Sequence, residues 1–269
     1  MGEQILNTVT IEGLEFVEFT SPEPESFIAF IEALGFSAIA KHRHKDVLLY
    51  RKDKINFIIN ATKGSFAQAF AEQHGASICA IALRVQDAAS AYQELLAKGA
   101  WEANTSAGIM ELNIPAIECI GGTQIYLVDR FGDDLNIYDI DFKYLSKSQA
   151  SSVSHAQVTS LSLSVAANRL QQWRDYFCQL LAFTAKSEYQ LVSSDGSLTI
   201  VLEPSALEAD LNSEGFNAIN LGVSDSAAFG QSLQSSGLNV IDRSDDSGAY
   251  CVSTHAFDSS VSFLISEQS

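Results

Sequence analysis

The sequence predicts an α+β protein of two domains, each a pair of βαβββ modules in which outer helices cover a curved mixed sheet. Three observations carry that expectation. Segments with strand and helix periodicity recur in one order four times along the 269 residues. A Ser-rich, aperiodic stretch, YLSKSQASSVSHAQ, divides the chain near its middle. Short motifs also rhyme between the halves: EALGFSAIAK with QLLAFTAKS, and FGDDLNIYDID with FDSSVSFLISE, which sets Phe131 opposite Phe257. The expected boundaries are 1–145 for the first domain, 146–157 for a linker and 158–269 for the second, each domain long enough to bury an apolar centre.

Local pattern justifies each element in turn. GLEFVEFTS reads as the opening strand, and Pro22 and Pro24 lead into ESFIAFIEALGF. There Phe27, Phe30, Ile31 and Leu34 fall at i, i+3, i+4 and i+7, one apolar helix face. HKDVLLYRKDKINFIINA gives two strands around a charged turn. In the second module SICAIALRV precedes the helix DAASAYQELLAKGA, with Asp87 as N-cap and Gly99 as C-terminal stop, and ECIGGTQIYLVD and DDLNIYDID supply closing strands. Beyond the linker VTSLSLSVA, the helix RLQQWRDYFCQLLAF, SLTIVLE, FNAINLGVS, the helix DSAAFGQSLQSSG, AYCVSTHAF and SSVSFLIS repeat the order.

Charge and composition exclude several functions. Sixteen Lys and Arg against 33 Asp and Glu give a net charge of −17, which repels nucleic-acid phosphates and anionic membrane surfaces. MGEQILNTVT has neither a basic leader nor an apolar run, and no stretch approaches the ~18 apolar residues of a membrane span, so a cytoplasmic location is expected. Cys79, Cys119, Cys178 and Cys251 are isolated, without a CxxC pair, and read as reduced, buried thiols.

The runs GLEFVEFTSPEPESFIAFIEALGFSAIAKHRHKDVLLYRKDKINFIINA, HGASICAIALRVQDAASAY and LNIPAIECIGGTQIYLVDRFGDDLNIYDIDF resemble the amino-terminal domain of the 4-hydroxyphenylpyruvate dioxygenases. The resemblance covers most of residues 12–142 and implies the vicinal-oxygen-chelate (glyoxalase/bleomycin resistance/dioxygenase) fold and a place in aromatic amino acid metabolism. It also implies that catalysis belongs to the second domain, where the family holds Fe(II) on two His and one Glu. Aligning TSLSLSV, GFNAINL and SFLISE with the family's ligand strands puts Ser160, Ala218 and Leu264 at those three positions, the last supported by pairing Leu264 with Tyr138 across the motif rhyme. A neutral hydroxyl, a methyl and an isobutyl group do not make a facial triad. The segment between LAF and DGSLTIVLE is also shorter than the family pattern, and the closing helix of the family does not follow Ser269. The resemblance therefore implies a shortened second domain without catalytic or metal residues and without a cofactor. An active Fe(II)-dependent aromatic keto-acid dioxygenase is the alternative, with His155 and His255 as substitute ligands.

Period-2 alternation assigns the faces of the second sheet. Leu161, Leu163, Val165, Ile219, Leu221, Val223, Val261, Phe263 and Ile265 form an apolar face that must be packed. The other face carries Ser160, Ser162, Ser164, Phe216, Ala218, Asn220, Ser262, Leu264 and Ser266. Hydroxyls and an amide there suggest a polar cup, with Ser160, Ser162, Asn220 and Ser262 as ligand-binding residues, as opposed to a shallow wet surface left by a decayed site. Its guest would be a small aromatic or keto-acid metabolite, with neutral or cationic species favoured unless Arg169, Arg174 or Arg243 lies at the rim. His42 and His44 would share a face if KHRHK were a strand, although a solvated turn is the simpler reading. Asp133, Asp134, Asp139 and Asp141 lack calcium-loop spacing, and no GxSxG elbow appears. The functions expected are thus a small-molecule binding or regulatory pseudoenzyme or, failing that, a structural partner in a homo-oligomer.

Overall fold

The computed structural model describes residues 9–104, 111–132, 134–145, 155–205, 214–243, 249–253 and 261–267, with the backbone alone for 242–243 and 249–253. The first half contains β1 (Ile11–Thr20), α1 (Pro24–Ala33), β2 (Ser37–His42), β3 (Val47–Lys52), β4 (Ile55–Asn60) and α2 (Phe66–His74). It continues with β5 (Ser77–Val85), α3 (Ala88–Ala97), β6 (Ala116–Glu118), β7 (Gln124–Val128), α4 (Ile137–Asp141) and β8 (Phe142–Tyr144). The second half runs β9 (Ala156–Ala166), α5 (Leu170–Asp175), β10 (Thr184–Ala185), β11 (Gln190–Val192), β12 (Thr199–Ser205), β13 (Gly215–Val223), α6 (Ser226–Ser235), β14 (Val240–Arg243), β15 (Ala249–Ser253) and β16 (Ser262–Glu267). A π turn over Tyr176–Leu180 extends α5.

Two eight-stranded mixed sheets result, ordered β6-β7-β5-β1-β4-β3-β2-β8 and β10-β11-β12-β9-β13-β16-β15-β14. Their centres are built alike. β1 lies antiparallel to β5 and parallel to β4, as β9 does to β13 and β12. Glu18 faces Ala80, which faces Gln124, just as Ser162 faces Ala218, which faces Ser262. Two positions along the same strands, Phe16 corresponds to Ser160 and Tyr126 to Leu264. The expected α+β architecture of paired modules is therefore present.

The motif rhyme at the end of each half is corrected. Ile137–Asp141 is a helical turn, because Asn136 and Asp139 cap it reciprocally: the Asn136 side chain accepts from the Asp139 N–H while the Asp139 carboxylate accepts from the Asn136 N–H. Those local bonds outcompete strand pairing. Tyr138 is consequently not the counterpart of Leu264, and Phe257 lies outside the described residues. Helix α2, which periodicity left unassigned, is short; Ser65 caps it and Ala67, Phe70 and Ala71 are its buried contacts. The linker expected at 146–157 lies outside the described residues up to 154, and β9 already begins at Ala156.

Other local signals correspond to the structure. Asp87 accepts from the Ser90 N–H at the start of α3, Gly99 takes φ +95° beyond its end, and Phe27, Phe30, Ile31 and Leu34 are all buried. The helix-end rhyme also holds geometrically: Gly35 and Ala182 both adopt positive φ, +87° and +54°. Alanine is strained in that region, so Ala182→Gly should raise the unfolding free energy by about 1 kcal/mol, read from urea melts. An unchanged or lower stability would contradict the strain.

The apolar faces of both halves join in one continuous cluster. Phe263 of β16 sits against Phe19, Phe30 and Phe57 of the first half, with ring centroids 6.2, 5.6 and 6.1 Å away. Polar contacts reinforce the joint. The Tyr176 hydroxyl donates to the Glu118 carbonyl at 2.7 Å, and the Ala156 N–H donates to the Asp53 carboxylate at 2.9 Å. The Lys52 ammonium, buried, lies 5.1 Å from the centre of the Phe229 ring. Gly121 packs directly on the backbone of Glu214 and Gly215.

Candidate functional site

In the second half all nine residues assigned to the apolar face are buried. The opposite face brings the expected ligand-binding residues onto adjoining strands: Ser160 pairs with Asn220, and Ser162 with Ala218, which pairs with Ser262. Asn220 also pairs with Leu264, and the Ser266 hydroxyl donates to the Asn220 side-chain Oδ1 at 3.0 Å. Phe216 is the exception. A bulge between Phe216 and Ala218 leaves Asn217 without a partner residue, so Phe216 pairs with Leu163 and enters the apolar core. In the first half the counterparts of Ser160 and Leu264, Phe16 and Tyr126, hold their rings 5.9 Å apart.

A larger feature occupies the inner face of the first sheet, a cavity of about 720 Å³. Phe16, Ile58, Tyr126 and Phe142 supply much of its apolar wall, continuous with a second apolar cluster that includes Leu49, Ala82, Val128 and Tyr138. Three polar side chains face it from the centre of the sheet: Glu18 of β1, Asn60 of β4 and Gln124 of β7. Glu18 is only 6% exposed and accepts from the Asn60 amide at 2.8 Å, with Cys79 as a further side-chain partner. Burial raises its pKa above the ordinary carboxylate value, opposed by the Asn60 bond and the charge of Lys45. Gln124 is 4% exposed, and its amide has no hydrogen-bond partner among the described residues. Sequence patterning attaches no role to these three residues. The available signal is a carboxylate in phase with Phe16 inside the otherwise apolar run from Phe16 to Phe19.

At the mouth, Lys45 pairs with Glu111 at 2.8 Å, and the Asp141 carboxylate accepts from the Leu112 N–H. His42 ends β2, and its Nδ1 accepts from the N–H groups of His44 and Lys45, both at 3.1 Å, so KHRHK is a strand end followed by a bend. Burial lowers the pKa of His42. Asp139 serves the α4 cap, Asp134 is exposed, and Asp133 and His255 lie outside the described residues. His155 is exposed, with Nδ1 3.5 Å from Asp53. Arg169 engages the buried Glu214 carboxylate and Arg174 lines a separate surface hollow with Glu188, so neither marks the rim of the polar cup; the Arg243 side chain lies outside the description. Cys79 and Cys119 are buried free thiols, the latter pushed up to about 12 by desolvation. Among the described residues no three His, Cys, Asp or Glu side chains gather as a metal site, and no helix is long and apolar enough to cross a membrane.

A raised carboxylate pKa has a definite linkage sign. The folded state holds the Glu18 proton more tightly than the unfolded state, so stability falls as pH rises from the unfolded value of about 4.3 through the folded one. Glu18→Gln should therefore raise Tm at pH 7, with the difference closing below about pH 4. Melts across that range check it; a lower Tm for the variant at pH 7 would contradict the assignment.

Paired βαβββ units with helices outside and polar groups on the inner sheet faces define a vicinal-oxygen-chelate protein. Residues 5–143 match the family described as hydroxyphenylpyruvate dioxygenase, HPPD, N-terminal. The chain belongs to that family. It is 38% identical over 210 residues to the 4-hydroxyphenylpyruvate dioxygenase of Pseudomonas sp. (strain P.J. 874), covering 73% of this chain and 59% of that one. It is also 38% identical over 201 residues to hemolysin VllY of Vibrio vulnificus (strain CMCP6), covering 72% and 55%. The match thus spans somewhat over half the length of these relatives. A xylose isomerase-like TIM barrel/4-hydroxyphenylpyruvate dioxygenase fusion protein shares the fold with a TM-score of 0.82 at 23% identity, over 97% of this chain and 50% of that one.

Proposed function

We propose that this protein is a cytoplasmic small-molecule binding or regulatory homologue of 4-hydroxyphenylpyruvate dioxygenase that has lost the Fe(II) site. The reading rests on the sequence alignment that puts Ser160, Ala218 and Leu264 at the family's ligand positions. All three lie on the polar face of the second sheet, and none is a strong donor. Iron does not fit this set. The reaction of the dioxygenases is accordingly not assigned to these residues, and the cup formed by Ser160, Ser162, Asn220 and Ser262 would bind a small aromatic or keto-acid metabolite through hydrogen bonds.

Titration of metal-free protein with Fe(II) tests the reading. Binding should be no stronger than to a generic acidic surface. Stoichiometric iron at micromolar affinity, or homogentisate formed from 4-hydroxyphenylpyruvate, would establish instead an active Fe(II)-dependent dioxygenase. A thermal-shift screen with aromatic keto acids separates binder from structural partner, since a ligand that binds only the folded state raises Tm. Ser162→Phe should abolish such a shift and leave the protein folded.

A further inference from the structure

We propose that the cavity of the first half is a second binding site, for a small aromatic molecule bearing a cationic or N–H-donating head group, with that group held by Glu18, Asn60 and Gln124. The inference goes beyond the reading given for the second half and stands whether or not that half binds a metal.

Chemistry and geometry point the same way. Glu18 is a buried carboxyl group on the cavity wall, held by the Asn60 amide at 2.8 Å and by Cys79. Of the nearby cations, Arg84 pairs with Glu15 at 2.6 Å, Lys45 pairs with Glu111 while its charge also reaches Glu18, and Lys63 lines the same cavity. Gln124 adds a nearly buried amide without a protein partner, two strands away across Ala80. Strand spacing of about 4.8 Å sets the Glu18 and Gln124 backbones roughly 10 Å apart. Both side chains line the same cavity, with the small, buried Ala80 between their strands.

The remaining wall selects the rest of the guest. Phe16, Tyr126 and Phe142 present aromatic surface, and about 720 Å³ suits a molecule of metabolite size. A carboxylate-bearing guest would meet Glu18 in a chain of net charge −17, whereas an amine would meet its counter-ion. The site thus favours the opposite charge to a keto acid.

The full-length chain should be titrated calorimetrically with phenethylamine and benzamidine, and with 3-phenylpropionate as the anion of matched size. The amines should saturate one site and raise Tm, and the anion should do neither. Glu18→Gln, whose fold is checked by its own melt, should weaken amine binding about tenfold or more. Gln124→Ala should weaken it less, and Ser162→Phe in the other half should leave it unchanged. The proposal fails if neither amine binds saturably, if the anion binds equally well, if Glu18→Gln binds as the native protein does, or if Ser162→Phe abolishes the binding. None of these results bears on iron, so this proposal and the metal-free reading fail separately.

Discussion

Replacing Phe263 by Ala should lower the unfolding free energy by about 3–5 kcal/mol, the upper part of the range for truncating a buried aromatic. The ring is fully buried and contacts Phe19, Phe30 and Phe57 across the joint between the halves. No single side chain nearby can fill the void, because its neighbours are held by two different sheets. Ser162→Ala, on the other face of the same sheet, should cost little: Ser162 is buried but its hydroxyl makes no hydrogen bond among the described residues. Urea melts of the two variants measure the contrast. Equal losses would overturn the assignment of inner and packed faces. Loss of two-state behaviour in Phe263→Ala alone would identify the ring as the coupling between the halves.

Gly121→Ala should be nearly as damaging, at about 2–5 kcal/mol. Gly121 has φ +63°, and a Cβ there would lie 2.0 Å from the Glu214 carbonyl oxygen, a contact no alanine can make. Glu214 cannot retreat easily. Its carboxylate accepts from the Ala166 N–H at 2.9 Å and pairs with Arg169, fixing the backbone that Gly121 meets. Gly122→Ala is the internal control. That residue also has positive φ, +74°, but a Cβ would find only Phe70 at 4.0 Å, so the cost should be the conformational term of about 1 kcal/mol. Comparable losses at both positions would show that the approach of Glu214 contributes nothing.

Much of the architecture was legible because short-range chemistry and long-range order agree. The apolar stripe of α1, the Asp87 cap and the alternation of β9, β13 and β16 each have one physical solution. Where the reading failed, a local feature overrode the pattern. A reciprocal cap turned NIYD into helix, and a one-residue bulge moved Phe216 from the cup to the core. The face carrying Ser160, Ser162, Asn220 and Ser262 followed directly from period 2, since the two register shifts between β9 and β13 fall at Asn217 and Thr159, outside these four residues. The cavity around Glu18 did not, because it depends on which strands lie beside β1. Glu18, Asn60 and Gln124 belong to β1, β4 and β7, and nothing in their local sequence announces that β5 and a single small residue, Ala80, separate the first from the last.

The position of Phe263 bears on how the chain is made. Its partners Phe19, Phe30 and Phe57 leave the ribosome before any of the second half, whereas β16 emerges only after β9 to β15. Until then the nascent first half must hold an uncovered aromatic surface in water. That surface is an invitation to premature association, and it persists for the whole time that the second half is being translated. A holdase would therefore be most useful during synthesis of residues beyond β8, and stalled chains ending before β16 should be the species that aggregate. The strongly acidic surface, with its self-repulsion, gives those incomplete chains some protection while they wait.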